Sequence, residues 1–187
     1  MRKNFGTQTW CFPMPVLIVG TYDKEGKPNA MNAAWGGIYD YNLIMLCLSE
    51  GHKTYKNIME SGAFTVSFAD EQNMVACDYV GIASGNKVEE KMAKAGFTTT
   101  PSDFVNAPII NELPLTLECK LNKVNEDGII IGDIVNVSAE ESILGKEGKP
   151  DITKMSLISY VSPTHDYVSV GEKIVGKAFN SGKELIK

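Results

Sequence analysis

The chain has 187 residues, 43% hydrophobic and 22% charged, a length and balance suited to one soluble domain with a sizeable core. Its net charge is -5, and with Arg2 as the only arginine and no basic block, nucleic acid is not an expected partner. No apolar run approaches the roughly 20 residues of a membrane span, and the opening MRKNFGTQTWCFPMPVLIVG lacks a signal-peptide core, so a cytoplasmic protein with no membrane contact is expected.

In chain order, Val16 to Tyr22 is apolar and β-prone, Asp23-Lys24-Glu25-Gly26 is turn chemistry, and Asn29 to Trp35 returns as the second arm of a hairpin. Leu43 to Leu48 predicts a buried strand. Thr54 to Glu60 places Tyr55, Ile58 and Met59 at helical spacing, and Ala63 to Ala69 alternates like a half-buried strand. Met74 to Tyr79 and Lys87 to Ala95 predict short helices. In the second, Val88, Met92 and Ala95 form the apolar face, with Glu89, Glu90, Lys91 and Lys94 expected to face water. Leu115 to Val137, turning at Asp127-Gly128, is a long hairpin, followed by a loop over Gly145 to Pro150 and β-prone pieces at Ser156 to Val161, Tyr167 to Val170 and Ile174 to Ala178. Runs of strands with inserted helices, and no GxGxxG after any strand, favour an antiparallel β-barrel over a parallel dinucleotide-binding sheet.

The segment SEGHKTYKNIMESG, Ser49 to Gly62, joins the end of a strand to the start of a helix. The first N–H groups of a helix lack intrahelical partners and sit at the positive end of its dipole, which favours a phosphate. Ser49, His52, Lys53 and Thr54 add side-chain donors, although helix starts of this composition are also common as plain solvated turns. Met31-Asn32-Ala33-Ala34-Trp35-Gly36-Gly37 ends the second strand in small residues, so a flat heteroaromatic ligand can lie against the main chain; a β-bulge with a core tryptophan is the alternative. The segment Cys77 to Gly85 brings glycine and serine to a helix junction.

Cys11, Cys47, Cys77 and Cys119 form no CxxC pair and are expected to be buried thiols, while His52 and His165 have no companions at metal-ligand spacing. No metal site is expected. Neither a catalytic triad nor a complete β-lactamase set accompanies the Ser84-Gly85-Asn86-Lys87 spelling.

The ordered motifs PVLIVGTYDKEGKPNAMNAAWGG, SEGHKTYKNIMESGAFTVSF, MVACDYVGIASG and APIINELPLTLECKL resemble the flavin reductase-like, FMN-binding split-barrel family, particularly its flavoredoxin group. The likeness runs from about Pro15 to Val137 and more loosely to the terminal YVSVGEKIVGKAFNSGK. It implies an all-β fold with peripheral helices, built as a six-stranded antiparallel Greek-key split β-barrel. A single FMN-binding domain over 1–187 is implied, its C-terminal extension from about 140 packing at the interface of a homodimer. The resemblance also implies that Asn32, Ala33, Ala34 and Trp35 lie along the isoalloxazine ring and that Ser49, His52, Lys53 and Thr54 take the phosphate. Asn57, Cys47, Tyr79, Ser84 and Tyr160 complete the implied cofactor-binding set, each equally open to a packing role. Many relatives carry arginine where this chain has His52 and Lys53, so two-pronged clamping is absent and the preference for FMN over free flavin stays open.

The expected activity is that of an FMN-dependent oxidoreductase passing electrons from NADH or NADPH to a second acceptor, with the chemistry on FMN N5 and no catalytic side chain. The alternative is an electron carrier between protein partners with little nicotinamide turnover, its acidic surface suited to docking a basic redox protein. A flavin-sensing module and a barrel without flavin are further possibilities, because fold does not fix function.

Overall fold

Apolar runs separated by turn chemistry become paired strands in the computed structural model, which describes residues 1–171, 173–176, 178, 181 and 183. The elements are β1 (Met14–Pro15), β2 (Leu17–Tyr22), β3 (Pro28–Ala33), β4 (Gly36–Asp40), β5 (Leu43–Leu46), α1 (Lys53–Ser61), β6 (Ala63–Phe68), α2 (Met74–Ile82), α3 (Lys91–Ala95), β7 (Thr99–Pro101), β8 (Pro108–Ile110), β9 (Leu115–Val124), β10 (Ile130–Ala139), β11 (Ile158–Val161) and β12 (Asp166–Ser169). The principal sheet is antiparallel and curls into a half-barrel of seven strands in the order β3-β2-β6-β9-β10-β5-β4. This is the expected split barrel with peripheral helices. The seventh strand is β4, which pairs with β5 through Gly36↔Leu46 and Ile38↔Ile44.

The β2–β3 hairpin runs in register from Leu17↔Ala33 to Tyr22↔Pro28. Its turn is held by Asp23, whose Oδ1 accepts the N–H groups of Glu25 at 3.0 Å and Lys27 at 2.9 Å. An aspartate bonded to its own following backbone is the usual stabiliser of such a turn.

Side-chain alternation on β2 divides the core in two. Leu17 and Val19 join Ile44, Leu46, Ile58, Phe64 and Val66 inside the half-barrel. Ile18 faces the other way, joining Ala30, Cys77, Val80, Met92 and Phe97 beneath α2 and α3. Strand β6 is likewise buried on both faces rather than half-buried, because its polar side is satisfied internally: Thr65 Oγ1 donates to the Pro108 carbonyl at 2.6 Å and Ser67 Oγ bonds Thr116 Oγ1 at 2.8 Å.

Two expectations change at the helices. Helix α2 runs on to Ile82, whereas α3 starts only at Lys91, the preceding residues forming turns. Strands β11 and β12 form a hairpin added to β1 through Met14↔Tyr160. The β-prone piece at Ile174 to Ala178 includes residue 177, outside the described residues, and the others carry no strand.

Of the four cysteines, only Cys77 and Cys119 are buried; Cys11 and Cys47 are exposed. Cys47 lies between the core residues Leu46 and Leu48, so the alternation that buries its neighbours turns it outward. Burial pushes the Cys77 and Cys119 thiols up to about 12, with Asp70 adding to the first and Glu118 and Asp133 to the second.

Candidate functional site

Helix α1 begins where the chain leaves the sheet and turns, with His52 N–H donating to the Ser49 carbonyl at 3.0 Å. His52 occupies the N-cap without a side-chain cap bond, and the first turn holds no acidic residue. The amides at the positive end of this nine-residue helix are therefore open to an anion. The underside of the helix is fixed from below. Thr54 Oγ1 accepts Asn29 Nδ2 at 2.9 Å, and Asn57 Nδ2 donates to Thr21 Oγ1 at 3.0 Å.

Facing this helix end is the segment after α2. Asn86 Nδ2 donates to the Gly51 carbonyl at 3.0 Å and so ties the two turns together. A Cβ at Gly85 would collide with the Asn29 amide oxygen and come within 3.2 Å of Lys53 Cγ, so only glycine allows this approach. Between the walls is a cleft of about 170 Å³, bordered by His52, Lys53, Thr54, Ser84, Gly85 and Lys91. A second, polar chamber of about 290 Å³ shares Asn29, Lys53, Gly85 and Lys91 with it.

Lys91 does not face water. It is 4% exposed and lines both hollows, and among the described residues no hydrogen-bond or ion-pair partner reaches it. Burial lowers its pKa to about 8, because the charged form is poorly solvated there. Met92, next to it, packs into the core and draws the helix in. Lys53 differs: its Nζ lies 3.1 Å from Asp23 Oδ2. Partial burial opposes ionisation of Asp23, but hydrogen bonds from Lys27, Lys53 and Glu25 outweigh it and hold the carboxyl below the usual carboxylate range.

The cleft runs along β3, the last strand of the principal sheet, whose outer edge pairs with no other strand among the described residues. Asn32 points towards α2, where Nδ2 donates to the Cys77 carbonyl at 3.1 Å and to Tyr167 Oη at 3.3 Å. Tyr167 in turn donates to Asp78 Oδ1 at 2.7 Å, and burial followed by that carboxylate pushes its hydroxyl up to about 12. Ala33 is buried in the barrel, Ala34 is half-buried and Trp35 is 57% exposed. Trp35 lines a mostly apolar hollow of about 470 Å³ together with Trp10, Cys11 and Met14.

The flavin reductase like domain model matches residues 9–152. The chain belongs to this family. Flavoredoxin of Desulfovibrio vulgaris (Miyazaki F) is 38% identical, covers 97% of this chain and 100% of its own, and superimposes with a TM-score of 0.93. Flavoredoxin from Methanosarcina acetivorans is 30% identical, with 99% of each chain covered and a TM-score of 0.89. An uncharacterized protein of Archaeoglobus fulgidus is 34% identical over 67% of this chain and 72% of its own.

In this member of the flavin reductase like family, the expected site residues fall into separate groups. His52, Lys53, Thr54 and Ser84 share one cleft, with Ser49 in the turn that leads to it. Cys47 N–H donates to the Trp35 carbonyl at 2.9 Å, which joins that cysteine to the Ala34–Trp35 end of the strand. Asn57 lies on the buried side of α1, and Tyr79 packs against the cluster under α2. Tyr160 Oη bonds His165 Nδ1 at 2.6 Å on the C-terminal hairpin. Sequence reasoning missed Asn29 and Lys91, and reached Gly85 only as part of the Cys77 to Gly85 helix junction. A signal for Lys91 exists, since it stands three residues after Val88 and four before Ala95, on the same apolar face. Among the described residues no group of His, Cys, Asp or Glu could hold a metal ion, and no helix is long and apolar enough to cross a membrane.

Proposed function

We propose that the chain binds FMN and works as an oxidoreductase, taking electrons from NADH or NADPH and passing them to a second acceptor. The observation that carries this reading is Lys91, a buried cation without a counter-ion among the described residues, at the uncapped start of α1. Leaving a charge unpaired costs stability, and a phosphate supplies the missing partner.

The residues present fit the cofactor. Lys91, Lys53, His52, the Thr54 hydroxyl and the first amides of α1 would hold the phosphate, while Ser84 and Gly85 after α2 leave room for the chain beside it. From Asn29 to Ala34 is five residues of extended chain, about 17 Å, enough to carry a ligand from the phosphate cleft to Ala34 and Trp35. Bound FMN would accept a hydride and release electrons singly or in pairs, chemistry the side chains do not supply. The chain's own part is to bind and orient: the free edge of β3 offers main-chain groups to a flat ring, and Ala34 and Trp35 would lie against it.

A second reading, an electron carrier with little nicotinamide turnover, draws support from the two flavoredoxins matched over nearly the whole chain. Both readings take residues 1–187 as one domain, in a homodimer with the segment from about 140 packing at its interface. Exposed Ile38, Tyr39, Tyr41, Val135 and Val137 provide apolar surface for a second copy. An anaerobic visible spectrum tests the proposal. Flavin bands that bleach with NADH or NADPH support the oxidoreductase and identify its donor; bands that persist with both favour the carrier; and no bands after reconstitution with FMN overturn flavin binding.

A further inference from the structure

The two lysines of the phosphate cleft are not equivalent. Among the described residues Lys91 has no counter-ion, whereas Lys53 is already matched by Asp23 at 3.1 Å. The third cation beside them, Lys27, is taken by Glu90 at 3.3 Å and Glu89 at 3.7 Å. Lys87, which also lines the polar chamber, is exposed to water.

Asp23 is the rigid member of its pair. Its Oδ1 is committed to the turn amides of Glu25 and Lys27, which leaves Oδ2 aimed at Lys53, and its side chain is 12% exposed against 30% for the lysine. A phosphate that draws on Lys53 must therefore share the ammonium with a carboxylate that cannot turn away, or pull the flexible lysine stem off it. Either route weakens the phosphate contact, because the charge of Lys53 is already offset by the carboxylate 3.1 Å away.

We propose that Asp23 is a built-in competitor for the flavin phosphate: by neutralising Lys53 it lowers the preference for FMN over unphosphorylated flavin and keeps the bound flavin exchangeable. This rests on the FMN reading above and assigns Asp23 a role in flavin selectivity, exercised through Lys53 rather than by contact with the ring.

The test is titration of the full-length, flavin-stripped chain with FMN and with riboflavin, followed by flavin fluorescence. Asp23→Asn keeps an oxygen for the turn amides and removes the charge; Asp23→Ser also offers an oxygen to the turn and serves if the first variant folds poorly. FMN should bind about tenfold more tightly, equivalent to about 1.4 kcal/mol, with riboflavin affinity unchanged. The variant's FMN affinity should also fall more steeply with added NaCl, because Lys53 is released to the phosphate. Unchanged or weaker FMN binding, or an equal shift for both flavins, overturns the role of Asp23 while leaving flavin binding intact. Binding of neither flavin by the parent chain overturns the FMN reading itself and this proposal with it.

Discussion

Asn29 Nδ2 donates to Thr54 Oγ1 across 2.9 Å, joining the edge strand β3 to the first turn of α1 in a site where both residues are buried. Thr54→Val keeps the shape and deletes the acceptor, leaving the Asn29 amide unsatisfied. Chemical denaturation should show a loss of about 1–3 kcal/mol. FMN affinity should fall as well, since Thr54 borders the cleft.

Lys91→Met separates stability from binding. Removing a buried charge that has no partner among the described residues should stabilise the flavin-free chain at pH 7 by roughly 2 kcal/mol, seen as a rise of about 4–8 °C in the thermal midpoint. The same change should weaken FMN at least tenfold, measured by titration. A loss of stability without loss of binding would contradict the assignment.

The pH dependence of Lys91 has a definite sign. Its pKa is about 8 in the fold and about 10.4 unfolded, so between these values the unfolded chain holds a proton the folded chain has released. Stability attributable to this residue therefore rises with pH across that window, and the penalty is complete below about 8. FMN binding should follow the opposite course, weakening as the cation is lost above about pH 8, and both trends should be absent in Lys91→Met.

Gly85→Ala places a methyl group against the Asn29 amide and the Lys53 stem. The expected cost is about 1–3 kcal/mol, with a loss of FMN affinity greater than for any alanine at an exposed position of the same loop. Parallel denaturation and flavin titration check both.

Tyr167→Phe removes the donor to Asp78 and the acceptor for Asn32 at once. A carboxylate and an amide lose partners, which should cost about 1–3 kcal/mol and loosen the C-terminal hairpin, visible as faster proteolysis after Val161.

Much of this architecture was legible in local pattern. The β2–β3 and β9–β10 hairpins, α1 and the turn that precedes it all declare themselves through alternation, turn residues and helical spacing. Strand β4 did not, because Gly-Gly-Ile-Tyr-Asp has no apolar alternation and exists by pairing with β5. The burial of Lys91 was masked by its neighbours Glu89, Glu90 and Lys94, which do face solvent; what buries it is the packing of Met92 and Phe97 against the far side of β2 and β3. Asn29 and Gly85 act through contacts 25 and 56 residues away, at Thr54 and at Asn29 respectively, which no local window reports.

Strand β2 contributes alternate side chains to both apolar clusters, Leu17 and Val19 to one and Ile18 to the other. Neither cluster can open without disturbing a strand the other needs, so the half-barrel and the helical layer behind it should exchange their protected amide hydrogens as one cooperative unit. The slowest amides should sit at Ile18 and Val19, while the rim around Trp35 and Tyr41 exchanges independently, free to move without loosening the floor of the cleft.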